Sequence, residues 1–121
     1  MIKVAGVMFR NDAMDGGRNR QDILKELYDK NKKEFVVDVE YRERKDDTFG
    51  MKLREHDSQE VIGWVHTETA NAIIASGKRP EKYIGYLDYH GHYHVKLDDI
   101  KPKEIVTMVD SSPSYPYFSY R

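Results

Sequence analysis

The spacing of hydrophobic positions changes several times along the chain, and each change marks an element. Ile2 and Val4, followed by Gly6-Val7-Met8-Phe9, form a short apolar run that ends in polar Arg10-Asn11-Asp12, which predicts a first strand. Asn11 to Gly17 breaks it. Ile23, Leu24, Leu27 and Tyr28 then recur on one helical face, with Asn19 as cap and Asp22 in the first turn. This pattern predicts a helix from about residue 19 to about residue 30. Beyond Lys30-Asn31-Lys32-Lys33, the residues Phe35, Val37, Val39 and Tyr41 alternate with Val36, Asp38, Glu40 and Arg42 in strand period, one face core and the other largely charged.

After the charged turn Arg44 to Thr48, the alternation of Phe49, Met51 and Leu53 with Gly50, Lys52 and Arg54 predicts the second strand of a meander pair. Glu60 to Val65 is a further strand, behind the polar turn His56-Asp57-Ser58-Gln59. Thr67 is placed to cap a short helix that turns Ala70, Ile73 and Ile74 inward and stops at Gly77, before Lys78-Arg79-Pro80. Next comes a hairpin about His90-Gly91. A two-residue turn there sets Tyr89 opposite His92, Tyr86 opposite Val95 and Ile84 opposite Leu97. Ile84, Tyr86, Val95 and Leu97 then share the apolar face, and Tyr83, Leu87, Tyr89, His92 and His94 the other. Ile105 to Val109 is a candidate edge strand, and residues 111–121 form an aromatic, proline-containing tail beyond a domain of residues 1–110. With about six strands, two short helices and mainly meander connections, the expected class is α+β: a small curled antiparallel sheet, or an OB-like or SH3-like barrel, with the helices packed on it. The apolar strand faces, namely Val37, Val39, Met51, Leu53, Ile84, Tyr86, Val95 and Leu97, are expected to meet Leu24, Leu27, Ile73 and Ile74 in one core.

Composition narrows the function classes. The chain of 121 residues has 34% charged and 39% hydrophobic positions and a formal net charge of -1, which fits one small domain. No run approaches the roughly 20 apolar residues of a membrane span, and the first residues lack the flanks of a secretory signal, so a cytoplasmic protein without membrane partners is expected. The absence of cysteine removes disulfides, thiolate zinc sites and a cysteine nucleophile. A near-neutral charge argues against coating nucleic acid by bulk electrostatics, so any anion site is a local patch.

Among candidate sites, Arg18, Asn19, Arg20 and Gln21 open the first helix, either as a phosphate cradle on its N-terminal amides or as solvated arginines beside a cap. Arg42, Arg44, Lys45, Lys52 and Arg54 interleave with Glu40, Glu43, Asp46, Asp47 and Glu55, the pattern of a salt-bridged sheet face. His92 and His94 have the i, i+2 spacing of strand metal ligands, but a site needs a third ligand, so no bound metal is expected and Tyr89 and His92 read as a polar-aromatic surface. Gly6 and Gly63 inside strands mark either barrel corners or the close approach of a backbone or ligand. No phosphate-binding Gly-x-x-x-x-Gly-Lys loop, Gly-x-Ser-x-Gly elbow or Ser-x-x-Lys is present, so a binding module without catalytic residues or cofactor is favoured over an enzyme.

In order and spacing, Gly6-Val7-Met8-Phe9, the helix opening Gly17-Arg18-Asn19-Arg20-Gln21, Val39-Glu40-Tyr41-Arg42-Glu43, Val61-Ile62-Gly63-Trp64-Val65 and the helix Thr67 to Ala75 resemble the HIRAN domain family, as a stand-alone bacterial or phage-type member. The resemblance implies an OB-like barrel that holds the 3′ end of single-stranded DNA in replication or repair, with a helicase or nuclease as protein partner. It implies that Phe9 stacks on a base, that Arg10 contacts a phosphate and that Asp47 accepts from the free 3′-hydroxyl. Trp64, on the strand leading into the second helix, either packs half-buried or stacks on a base. The chain departs from the family where Asp46 replaces its stacking Tyr, Lys45 its Pro and Phe49 its second Asn. The alternatives are a protein-interaction adaptor of the same fold that has lost DNA-end capture, and a metal-dependent nuclease.

Overall fold

The computed structural model describes residues 1–43 and 49–100. The Arg44 to Thr48 turn with Asp46 and Asp47, the Ile105 to Val109 strand and the 111–121 tail therefore lie outside the described residues. The described chain runs β1 (Ile2–Ala5), α1 (Arg20–Asp29), β2 (Glu34–Glu43), β3 (Phe49–Glu55), β4 (Val61–Val65), α2 (Thr67–Ala75), β5 (Lys82–Tyr89) and β6 (Tyr93–Asp98), with a 3-10 turn at Ala13–Asp15. The strands close an antiparallel barrel in the order β1-β4-β3-β2-β5-β6, β1 pairing with β6 to complete the ring. This is the small α+β barrel expected from the alternating strand pattern.

Closure depends on β1, which in four residues pairs β4 through Val4 and Val65 and β6 through Ile2 and Leu97. Gly63 makes the approach possible: a Cβ there would sit 2.5 Å from the Ala5 carbonyl oxygen and 2.5 Å from a Val4 methyl. Of the two readings of this glycine, the close approach of another backbone is the one realised. Long β2 spans the sheet by pairing β5 at its start and β3 over its remainder.

Val4, Val37, Met51, Leu53, Ile62, Val65, Tyr83, Val95 and Leu97 fill the barrel, and Ile23, Leu24 and Leu27 of α1 join the same core. Helix α1 packs across β4, β5 and β6, and α2 packs against β3. The expected cap at Asn19 is present, its side-chain oxygen accepting from the Gln21 N–H at 3.0 Å. For α2 the cap moves back one residue, because the helix begins at Thr67 itself and it is His66 whose Nδ1 accepts from the Glu68 N–H.

Three expectations change. The β5–β6 hairpin pairs Tyr89 with Tyr93 and Leu87 with Val95, enclosing a three-residue loop, His90 to His92. The slip of one residue reverses the faces of β5, so Tyr83 and Leu87 are buried while Ile84 and Tyr86 are only half-buried on the outside. Val39 and Ile73 pack partly buried against the core, and Ile74 is half-buried. The first strand ends at Ala5, since Gly6 turns to φ 76° and Phe9 N–H donates to the Gly6 carbonyl, making Gly6-Val7-Met8-Phe9 a turn.

Outside the core, Asp38 on β2 accepts from Lys82 of β5 at 2.6 Å and from Gln59 at 2.7 Å, and its other contact is His56 Nδ1 at 3.0 Å. Burial raises its pKa, but the bonds from Lys82, Gln59 and His56 outweigh this and lower it from 3.8 to about 2. A carboxylate with a depressed folded pKa stabilises above its ordinary pKa and ceases to do so as it protonates in the fold. Stability should therefore decline as pH falls from about 4 to about 2, and Asp38→Asn should flatten that part of a urea-midpoint profile. Truncating core Leu27 to Ala should cost about 2 to 5 kcal/mol in denaturant unfolding; a near-neutral effect would mean that α1 does not support the barrel.

Candidate functional site

The turn after β1 is fixed from α1. Arg20, only 9% exposed, donates from Nη1 to the Gly6 carbonyl at 2.8 Å and from Nε to Asn11 Oδ1 at 2.7 Å. Asn11, also buried, donates in turn to the Val61 carbonyl on β4 at 2.9 Å. Gln21 completes the attachment, its amide donating to the carbonyls of Val7 and Tyr93 and accepting from the Tyr93 N–H at 2.9 Å. A Cβ on Gly6 would come 2.9 Å from Arg20 Nη1, so the positive φ and the guanidinium contact both favour glycine there. The Arg20-Gln21 pair that opens α1 therefore acts first as a staple between the helix, the turn and β6.

Held in this way, the turn carries Met8 and Phe9 into solvent at 50% and 66% exposure. A groove of about 500 Å³ runs along one side, lined by Lys3 to Phe9 with His66 and His94. A second groove, of about 340 Å³, is lined by Ala5, Gly6, Phe9, Arg20, Trp64, Val65, His66 and Thr67. Phe9 and His66 border both. Among the described residues no carboxylate forms an ion pair with Arg20, whose hydrogen-bond acceptors are neutral; burial lowers its pKa and outweighs the opposing charges of Asp12 and Asp15. A fixed, largely desolvated positive charge thus lies in a groove walled by Phe9 and Trp64. Chemically the region offers an exposed ring for stacking, apolar walls and a guanidinium bonded only to neutral oxygens.

Phe9, Arg20 and Trp64 are thus brought together. Half-buried Trp64 stands opposite Lys52 across β3–β4, with the ammonium 5.7 Å from its ring centre. Arg10, Arg18, Tyr89 and His92 border neither groove. Arg10 is exposed and donates to the Gly17 carbonyl at 2.8 Å. Arg18 pairs with Glu26 and with Glu60, bonds that raise its pKa, so the expected arginine cradle at the start of α1 does not assemble. Nor are both arginines solvated, since Arg20 is buried. Tyr89 packs on Tyr93 at 4.8 Å at the hairpin end, and His92 is exposed in the loop. Asp47 lies outside the described residues. Met8 borders a groove from the turn itself, while Lys3, His66 and His94 come from β1, the start of α2 and β6; the His92/His94 spacing singled out His94 but did not place it beside Phe9, which barrel closure does.

The salt-bridged sheet face is present in part: Arg44, Lys45, Asp46 and Asp47 lie outside the described residues, and Glu55 does not join it, being buried and accepting from the Asp57 and Ser58 N–H groups. Glu40 bonds Arg42 at 2.8 Å and Arg54 at 3.0 Å, while Asp15 from the 3-10 turn holds Lys52 at 2.5 Å and Arg54 at 3.0 Å. The bond from Lys52 lowers the Asp15 pKa. Among the described residues no group of three or more His, Asp or Glu side chains is arranged to hold a metal ion, and no helix is long and apolar enough to cross a membrane.

Replacing Arg20 by Met should cost about 1.5 to 3 kcal/mol for each charged hydrogen bond lost, read from the urea midpoint. Lys at this position should recover only part, because one ammonium does not reproduce the fork between Gly6 and Asn11; an unchanged midpoint in both variants would remove Arg20 as the staple. Compared with known proteins, the chain matches no family model, no curated protein and no solved structure.

Proposed function

We propose that this barrel is a binding module for single-stranded DNA in which Phe9 stacks on a base. The observation that carries the reading is the 66% exposed Phe9 ring, held out by a fixed turn, with grooves on both sides and the Arg20 guanidinium, hydrogen-bonded only to neutral oxygens, in one of them. An exposed ring on a braced turn loses little freedom on stacking, and a base can use it regardless of sequence because every base has a π-face. Local charge at Arg20 suits a protein whose net charge is -1, where bulk attraction to a polyanion is absent.

The resemblance to HIRAN domains adds selectivity for a free 3′ end in replication or repair, through Asp47. A hydroxyl donates to a carboxylate, whereas a terminal phosphate would oppose it with like charge. Because the family's stacking Tyr is Asp46 here, Phe9 carries the stacking on this reading.

Fluorescence anisotropy with labelled oligonucleotides tests the proposal. Binding should weaken steeply with salt, and Phe9→Ala should cost about 1 to 3 kcal/mol without altering the unfolding midpoint. Asp47→Asn should erase a preference for a 3′-hydroxyl over a 3′-phosphate. Equal binding of both ends by the unmodified protein would remove end selectivity, and no binding at low salt would leave the adaptor.

A further inference from the structure

The outer surface of β1, β6 and β5 carries a charge arrangement unlike the rest of the barrel. Lys3 and Lys96 are directly opposite in the β1–β6 register, so two exposed ammonium groups leave the sheet side by side. Like charges so placed repel, yet among the described residues neither lysine forms an ion pair with a carboxylate. Lys52 and Lys82, by contrast, each have one: Asp15 at 2.5 Å and Asp38 at 2.6 Å. Half-buried Tyr86 lies directly opposite Lys96 on its other side.

These residues border a groove of about 530 Å³, completed by Asp88, His90 and His94. Asp88 is the carboxylate of this set: its charge is felt at Lys96, but its short contacts go elsewhere, to the Tyr89 N–H at 2.8 Å and to His90 Nε2 at 2.7 Å. His94 Nδ1 is buried without a partner. Lys3 and His94 border both this groove and the 500 Å³ groove beside Phe9, so the two are neighbours sharing a wall.

We infer that this groove is a second subsite for the same DNA strand, in which Lys3 and Lys96 take consecutive phosphates and Tyr86 offers a ring to a base as the strand leaves Phe9 past His94. The inference rests on the reading of Phe9 as a strand-binding ring and extends it with a direction: away from α2, across β1 and β6 toward β5. A phosphate between the lysines would relieve the repulsion built into their register, which gives a polyanion a stronger claim on this surface than a neutral peptide has. Thymidine oligomers of two lengths separate this subsite from the first, because a dinucleotide can occupy Phe9 alone whereas a hexanucleotide can reach across the shared wall.

The experiment measures anisotropy with a labelled thymidine dinucleotide and hexanucleotide over a salt series, for the unmodified protein, Phe9→Ala and Lys96→Gln, because Lys96 borders the second groove alone. The hexanucleotide should bind the unmodified protein more tightly than the dinucleotide does. The Lys96→Gln variant should hold the dinucleotide within about twofold of the unmodified protein, while its hexanucleotide salt slope falls by about 0.7, the worth of one single-strand phosphate contact. Since the substitution breaks up a like-charge pair on the exposed sheet face, the unfolding midpoint should stay level, which separates a lost contact from a lost fold. An unchanged hexanucleotide affinity and slope in Lys96→Gln, with Phe9→Ala still impaired, would overturn the second subsite and leave the first. Equal binding of both lengths by the unmodified protein would do the same. No binding of either oligomer by the unmodified protein would overturn both.

Discussion

The buried guanidinium of Arg20 is the constraint on which the rest of the candidate site depends. A charged group this far from water requires compensation, and here its hydrogen bonds go to a carbonyl and an amide oxygen, with the carboxylates of Asp12 and Asp15 acting only through space. Those two acceptors belong to the segment between β1 and α1, so satisfying Arg20 also settles the path of that segment. Gly6 must turn away from the strand, Asn11 must come inward to reach both Arg20 and β4, and Met8 and Phe9 are left outside. The exposed ring is thus a by-product of a hydrogen-bond requirement, and its backbone is as well anchored as the helix that holds it.

Barrel closure then decides what lies beside the ring. With β1 inserted between β4 and β6, Trp64 arrives on one flank, Lys3 and His94 on the other, and His66 borders both. The exterior becomes electrostatically divided. On the β2–β3 side, Glu40, Asp15 and Asp38 are matched to Arg42, Arg54, Lys52 and Lys82, and the surface presents ion pairs. On the β1–β6 side, among the described residues, Lys3 and Lys96 face each other with no ion pair, and Asp88 acts on Lys96 only at longer range. A chain with almost no net charge can in this way keep one face attractive to an anion.

Much of this architecture was legible in the sequence. Strict alternation in Phe35 to Arg42 and in Met51 to Arg54, and the helical recurrence of Ile23, Leu24 and Leu27 behind an Asn cap, each have a single reading, and those elements form as expected. The hairpin register was not legible, because β5 is apolar or aromatic on both faces: Tyr83 and Leu87 on one, Ile84 and Tyr86 on the other. Hydrophobicity does not choose between them, and His90-Gly91 suits a two-residue turn as well as part of a longer loop. Gly6 to Phe9 read as strand because apolar character says nothing of the left-handed backbone that ends it. For the site, Phe9 and Trp64 were visible as aromatics, but Arg20 read as part of a surface pair, since its acceptors and its burial are tertiary facts. Lys3 and His66 carry no local pattern, the His92/His94 spacing says nothing of Phe9, and the grouping of Lys3, His66 and His94 exists only in the closed barrel.

Amide chemical-shift mapping on adding a thymidine hexanucleotide tests most directly the claim that the braced turn and its flanking grooves are the binding surface. The account expects the largest changes at Gly6 to Phe9, the Trp64 indole and Thr67, extending to Lys3, His94 and Lys96, with the ion-paired surface of Glu40, Arg42 and Arg54 left undisturbed. Changes centred on that ion-paired surface, with the Gly6 to Phe9 turn silent, would contradict it.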